Sequence, residues 1–356
     1  MLAILYIICF SGVLGIFYLG WYLNDRITKK SKQENYNLSQ ISVLIPFRNE
    51  VSNIPHLLTS IKQLSHLPLE FIWVNDHSED TSLDTLKNLP PNHQLLHLPN
   101  DQRGKKAAIR AGIASAKGSY ILTWDADIQV PKTYFEHLKK TPISALSIFP
   151  VHMQANSIWE LFYELDYYFL TSINVAVSGF TNPIVASGAN LLFEKESFLA
   201  CDSIQHHQHI ASGDDQFLLD DFKKAGKAMQ VIPIYGLCVT TETPYSLKSF
   251  MQQRLRWIGK SSKIKDTTTY FISMVGVVYL VLFIFLLFSP FWYYILLVKI
   301  MVDILIFLPY LHRLNRTKIV WFSPFFSCMY PIYCLTIVLF KLGMKTQWKG
   351  RSVDSF

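Results

Sequence analysis

A chain of 356 residues, half of them hydrophobic, is longer and more apolar than a typical soluble domain and needs lipid to account for it. The net charge of +7 invites nucleic acid, but the surplus sits beside apolar runs, at Arg26 to Lys32, Lys260 to Lys265, Arg313 to Lys318 and Lys345 to Arg351. That placement fits the positive-inside bias and anionic headgroups, so no nucleic-acid partner is expected.

In chain order, residues 1–23 are predicted to be a transmembrane anchor. Leu2 to Leu23 carries no charge, and Arg26, Lys29, Lys30 and Lys32 follow it. A cleaved signal peptide would need positive charges before the run and small residues after it, and has neither. Residues 24–245 are predicted to form one cytoplasmic α/β domain. Ile41 to Pro46 is a β-branched, proline-ended run typical of a buried parallel strand. Ile54, Leu57, Leu58, Ile61 and Leu64 recur at helical spacing, Phe71 to Val74 is a second strand, Lys105 to Ala116 a helix, and Tyr120 to Trp124 a third strand ending at Asp125. The βαβαβ alternation predicts a doubly wound sheet with its ligand beyond the carboxyl ends of the strands, where Asp76 and Asp125-Ala126-Asp127 fall. Arg103, Lys106 and Arg110 read as the solvated face of the helix opened by Lys105.

Trp159 to Phe180 is unusually aromatic around Glu160, Glu164 and Asp166; a helix resting on the bilayer and core packing both fit. His206, His207 and His209 lie in a polar stretch and read as surface residues. Residues 246–266 form an amphipathic interface helix. Leu247, Phe250, Met251, Leu255 and Ile258 share one arc, Gln253, Arg256 and Lys260 lie opposite, and Trp257 sits at the border. Residues 267–344 hold three apolar stretches, transmembrane or re-entrant, Tyr270 to Phe288, Phe291 to Leu311 and Trp321 to Leu342; the last is either re-entrant or kinked at Pro324 and Pro331 or an ordinary span that exports the basic tail at 345–356. Lys299 and Asp303, at i, i+4, either neutralise each other inside the bundle or snorkel to the headgroups. Five cysteines, an odd number with no C-x-x-C pair, argue against a disulfide framework and for a reducing cytoplasmic face.

Several ordered motifs stand out: Pro46-Phe47-Arg48-Asn49-Glu50, Asn75-Asp76-His77-Ser78, Gly104-Lys105, Asp125-Ala126-Asp127, Ser187-Gly188-Ala189-Asn190, Gly213-Asp214-Asp215 and Gln253-Arg254-Leu255-Arg256-Trp257. On these the sequence resembles the family 2 glycosyltransferases, the inverting, membrane-associated branch with a GT-A fold. The tail at Trp348 to Arg351 resembles lipid-directed members such as ceramide, carotenoid or hopanoid glycosyltransferases. The expected fold class is α/β, a GT-A (Rossmann-like) nucleotide-sugar domain flanked by transmembrane helices. The resemblance implies that Pro46, Arg48, Glu50, Asp76, Lys105, Asp125 and Gly188 bind the nucleotide sugar, with Asp76 at the uracil edge and Asp125 at the ribose or supporting a metal. It also implies that Asp215 is the general base. Asn75 stands where the family often has a first acid, and Asp214 where glutamate is more frequent.

The chemistry supports these roles. A leaving diphosphate gathers charge that a hard cation and cationic side chains must stabilise, and Mg²⁺ or Mn²⁺ takes oxygen ligands, so Asp127 is the expected metal ligand with Asp125 beside it. An attacking hydroxyl must lose its proton, and Asp215 is placed to take it. The pair Asp214 and Asp215 would also favour a helix N-terminus. Gln253, Arg256 and Trp257 complete the catalytic set, with Arg256 on the diphosphate and Trp257 stacking on a sugar or closing the acceptor site. The function expected is a metal-dependent inverting transfer of a hexose from a UDP-sugar to a membrane lipid, at the cytoplasmic face of a bacterial inner membrane. A short processive polysaccharide synthase and a non-catalytic membrane scaffold are the alternatives.

Overall fold

The computed structural model describes residues 2–30, 37–201, 214–261, 266–341, 347–348 and 351–352. The chain forms two compact units, Arg26–Gln154 with Val185–Glu242, and Met1–Asp25 with Ala155–Ile184 and Thr243–Phe356. Helix α1 (Leu2–Lys30) is followed by β1 (Ile41–Phe47), α2 (Ile54–Lys62), β2 (Glu70–Asn75), β3 (His93–His97), α3 (Lys105–Ser115), β4 (Tyr120–Trp124) and β5 (Ile128–Gln129). Next come α4 (Tyr134–Lys139), β6 (Leu146–Ile148), β7 (Val151–Gln154), α5 (Ile158–Ser178), β8 (Asn190–Glu194), α6 (Lys195–Cys201) and α7 (Asp214–Lys224). The chain continues through β9 (Met229–Val231), β10 (Val239–Glu242), α8 (Leu247–Ser261), α9 (Thr267–Leu286), α10 (Trp292–Arg313) and α11 (Ser323–Lys341).

The first unit is a seven-stranded sheet in the order β3-β2-β1-β4-β8-β6-β9 and a three-stranded sheet in the order β5-β10-β7. All seven residues of β1 are buried, because the strand is covered on both faces and paired in parallel with β2 on one side and β4 on the other. Each fully buried Ile or Leu contributes about 1.5–3 kcal/mol. The parallel β3, β2, β1 and β4 confirm the expected doubly wound core. Beyond β4 the sheet turns mixed: β8 runs antiparallel to both β4 and β6. Strand β3 has no sequence signature, since His93-Gln94-Leu95-Leu96-His97 is polar and half-buried. Its His93 Nδ1 accepts a hydrogen bond from Trp73 Nε1 (3.0 Å), and burial pushes the imidazole down to about 4, so it is neutral at pH 7. The small sheet matters for the site: β5 begins one residue after Asp127 and pairs with β10 (Ile128 opposite Thr241), which pins the Asp125-Ala126-Asp127 turn.

The second unit is helical. Helix α5 packs against α10 and α11, and most of its residues from Phe162 to Ser178 are buried, so its aromatics serve as core packing. Trp159 and Phe180 at its ends stay exposed. Its buried acids are paired: Glu164 accepts from Arg316 (3.0 Å), and Asp166 lies 2.5 Å from Arg254. Arg316 and Arg313, which pairs with Asp25, belong to the basic run that the sequence assigns to headgroups. Helix α1 meets α5 at a tight crossing, where a Cβ on Gly20 would lie 2.2 Å from the Ala176 carbonyl oxygen and one on Gly179 2.0 Å from that of Gly20. Ser178 Oγ donates to Asn24 Oδ1 (2.9 Å) beside it.

Three of the described helical stretches, Thr267–Leu286, Trp292–Arg313 and Thr317–Phe340, are long and apolar enough to cross a membrane. Helix α11 is continuous through Pro331, preceded by a short 3₁₀ turn over Thr317–Phe322. Lys299 and Asp303 neutralise each other, 2.5 Å apart and fully buried, with Ser327 Oγ donating to the same carboxylate (2.6 Å). His206, His207 and His209, and Lys345 and Lys349 of the tail, lie outside the described residues. Cys201, Cys238, Cys328 and Cys334 carry free thiols.

Candidate active site

The carboxyl ends of β1, β2 and β4 and the first turn of α3 gather the polar residues of the first unit. Pro46 is buried in β1 opposite Val74. The chain then turns at Asn49, whose left-handed φ of 54° is tolerated because its side chain is fixed: Asn49 N donates to Ser78 Oγ (3.1 Å) and Glu79 N donates to Asn49 Oδ1 (2.8 Å). Arg48, mostly buried, reaches Glu79 (3.1 Å). Glu50 N donates to Ser82 Oγ (2.8 Å), and Asn53 Nδ2 to Glu50 Oε2 (2.7 Å). The loops after β1 and β2 are thus stitched into one bracket.

Asn75 and Asp76 divide two tasks. Asn75 Oδ1 accepts from Ser78 N (2.9 Å) and closes the turn, which frees Asp76 from that work. Asp76, only 3% exposed, accepts through Oδ1 from Gly104 N (3.0 Å) and contacts His77 Nδ1 (3.3 Å). Gly104 has φ +94°, a conformation that strains any side chain, and it sets the start of α3 against Asp76. The next residue, Lys105, places Nζ 2.5 Å from Asp125 Oδ1.

Asp127 is exposed to solvent and set among Asp125, Glu50 and Lys105. The packing around it and the negative charges of Asp125 and Glu50 push its carboxyl up to about 7, against the pull of Lys105. It also lines a small polar cleft with Asn53, His56, Gln154, Thr240 and Glu242. Among the described residues no three His, Cys, Asp or Glu side chains form a closed metal cage. Two carboxylates in a negative field, open on one side, fit a hard cation that takes its remaining ligands from water and phosphate.

Asp215 stands in the first turn of α7. Its Oδ1 accepts from Gln216 N (2.8 Å) and its Oδ2 from Gly188 N (3.3 Å), while Ala186 N donates to Gln216 Oε1 (3.2 Å). The structure therefore joins Asp215 to the Ser187-Gly188-Ala189 loop. Asp214 begins the same helix. Asn190, the last residue of that motif, is a framework node: it donates to the Pro150 and Leu237 carbonyls (2.9 and 2.8 Å) and accepts from Tyr134 OH (2.6 Å).

Two expectations are corrected here. Lys106 is buried, with its ammonium 4.5 Å from the centre of the Phe217 ring, so it ties α3 to α7 and is not on a solvated face; Arg103 and Arg110 are exposed as expected. In the second unit, Leu247 of α8 is 63% exposed, and the buried face runs through Phe250, Met251, Arg254 and Leu255. Arg254 escaped the sequence because a cation on an apolar arc reads as an error in the helical wheel. Gln253 and Arg256 are half-buried, the Gln253 Oε1 atom has no hydrogen-bond partner among the described residues, and the Trp257 ring lies 6.2 Å from that of Tyr167.

Two family models match the chain: glycosyl transferase family 2 over residues 42–145, and glycosyl transferase family group 2 over residues 120–343. The chain is a family 2 glycosyltransferase. This glycosyltransferase is 36% identical over 110 residues to the undecaprenyl-phosphate 4-deoxy-4-formamido-L-arabinose transferase of Proteus mirabilis (strain HI4320), covering 29% of its own length and 34% of the relative's. It is 37% identical over 111 residues to the corresponding protein of Photorhabdus laumondii, again covering 29% and 34%. It thus spans about a third of the length of the curated relatives it matches. A mannosyltransferase of Pyrobaculum calidifontis, solved in complex with GDP-Man and Mn²⁺, superposes with a TM-score of 0.51 at 14% identity, over 92% of this chain and 98% of that one. That likeness shows the fold, which is GT-A.

Proposed function

We propose that this glycosyltransferase moves a hexose from a UDP-sugar to a membrane lipid, with inversion at the anomeric carbon, at the cytoplasmic face of the membrane. The observation that carries the reading is the convergence of Asp76, Lys105, Asp125 and Asp127 at the carboxyl ends of β2 and β4 and the start of α3. There, Asp76 would accept from the uracil edge, Lys105 would exchange its partner Asp125 for a phosphate, and Asp125 would turn to the ribose or the cation. Pro46, Arg48 and Glu50 shape the nucleotide cleft from β1. Asp127, with Asp125, would hold Mg²⁺ or Mn²⁺, and that charge would stabilise the departing diphosphate. Arg256 is assigned to the same diphosphate, with Gln253 and Trp257 on the acceptor side.

Bond changes follow from a single displacement. The acceptor oxygen forms a bond to the anomeric carbon as the bond from that carbon to the diphosphate oxygen breaks, and UDP leaves with the electron pair. Where the acceptor is a hydroxyl, its proton passes to Asp215, whose carboxylate is held by the amides of Gln216 and Gly188. A lipid acceptor is supported by three helical stretches of membrane-crossing length and by the two relatives, both named for an undecaprenyl-phosphate acceptor.

The test is direct. Full-length protein in lipid nanodiscs is incubated, in separate reactions, with radiolabelled UDP-sugars and GDP-sugars and a membrane lipid extract. Label is expected in the organic phase, with one sugar preferred. Label confined to a water-soluble polymer would overturn the lipid acceptor, and label from GDP-sugars alone would overturn the donor.

A further inference from the structure

The second unit holds a buried charge where an apolar residue would pack at lower cost. Three neighbours on the buried face of α8, Phe250, Met251 and Leu255, are apolar; the fourth is Arg254, 5% exposed. A buried ion pair is weak support for stability, because desolvation offsets most of the attraction and a hydrophobic replacement is often neutral or better. The guanidinium does what a leucine could not. Its Nε lies 2.5 Å from Asp166 Oδ2, its Nη2 donates to the Tyr163 carbonyl (3.5 Å), and its Cζ lies over two rings, 4.2 Å from the Trp257 ring centre and 4.9 Å from that of Phe250. Asp166 is itself held from α11 by Tyr333 OH (3.3 Å), and the ring of Tyr167, next to it on α5, lies 6.2 Å from that of Trp257.

Arg254 and Trp257 are three residues apart, one turn of α8, so the cation and the indole share a face. We propose that Arg254, locked by Asp166 and Tyr333, is a positioning residue that fixes the Trp257 ring in its orientation for the acceptor. The inference rests on the role given to Trp257 above. Lysine at this position would keep the buried positive charge but lose the planar guanidinium whose Nε meets Asp166, so it separates charge neutralisation from ring positioning.

The experiment compares Arg254→Lys, Trp257→Phe and the double variant as full-length proteins in lipid nanodiscs, with label transfer from the preferred UDP-sugar into lipid extract and thermal melting. Arg254→Lys is expected to melt near wild type, to keep its KM for the nucleotide sugar within about twofold, and to lose turnover by about tenfold or more, since small misplacements of a positioning group cost that much. The double variant is expected to be no slower than Trp257→Phe alone. A readout independent of activity is the Trp257 part of the indole emission, obtained by subtracting the spectrum of the matching Trp257→Phe protein; Arg254→Lys should shift it. Additive losses in the double variant, or an unshifted Trp257 emission, would overturn the positioning role and leave the functional reading standing. Full activity in Trp257→Phe would overturn both. If Arg254→Lys fails to fold, the neutral pair Asp166→Asn with Arg254→Gln, which keeps a hydrogen bond without net charge, takes its place under the same outcomes.

Discussion

Carboxylates are used in opposite ways in the two units. Around β1 and β4, Glu50, Asp125 and Asp127 crowd together with Lys105 as the cation drawn among them, and Asp127 is driven toward neutrality near pH 7. In the helical unit each of the described buried acids has a cation of its own: Glu164 with Arg316, Asp166 with Arg254, Asp303 with Lys299. An excess of like charge costs stability and is tolerated where a cationic ligand relieves it, whereas matched charge settles how helices fit together. On the proposed function the first pattern serves chemistry and the second architecture, so equivalent substitutions in the two regions should have opposite consequences.

The largest effect is expected at Asp215. Asp215→Asn should lower turnover by about 10²- to 10⁴-fold while nucleotide binding, measured by calorimetry, stays close to wild type. Retained activity would show that the acceptor oxygen arrives already ionised, as in a lipid phosphate, and would remove the general base.

In the helical unit the expected loss is of stability. Lys299→Met leaves Asp303 buried without its cation and should lower the unfolding free energy by about 3–5 kcal/mol. Lys299→Met with Asp303→Leu should recover most of it, read as melting temperature in detergent. A single variant as stable as wild type would break the contrast drawn above.

A smaller loss is predicted where charge plays no part. Gly20→Ala puts a methyl against the Ala176 carbonyl and must push α1 from α5, at a cost of about 1–3 kcal/mol. Thermal melting tests it, and an unchanged midpoint would mean that the crossing yields freely.

The smallest effect sharpens the contrast because its sign is reversed. The folded Asp127 carboxyl titrates at about 7, above the ordinary aspartate value of about 3.9. Between those pH values the folded state holds a proton that the unfolded chain has released, so stability falls as pH rises through this window. Without divalent cation, Asp127→Asn should therefore melt slightly higher than wild type at pH 8, with the gain shrinking toward pH 4. It should also lose cation-dependent binding of the nucleotide sugar. A lower melting point at pH 8 would contradict the charge crowding.

How much of this was legible beforehand depended on whether the signal was local. The strands β1, β2 and β4 announced themselves because a strand buried on both faces must be a continuous apolar run, and Asp76 and Asp125 were placed simply by following such runs to their ends. Helical spacing put Lys299 and Asp303 on one face but left snorkelling open beside pairing, and burial of both side chains decided for the pair. Strand β3 was not legible, because an edge strand held by a single neighbour needs no apolar pattern.

Sequence by itself therefore determined the class of fold and the apolar helices, which depend on composition and short-range period, and the order of the motifs, whose chemistry the family resemblance implies. Tertiary structure alone decided which side chains meet across elements. It made Asn190 a framework node, buried Lys106 against Phe217, and brought Gly20 against Gly179 across 159 positions of chain. It also gave Arg254 a buried partner in Asp166 and a ring in Trp257. Those contacts join residues that no local period relates, and a buried charge is acceptable only once its partner is in place, which is a property of the folded chain.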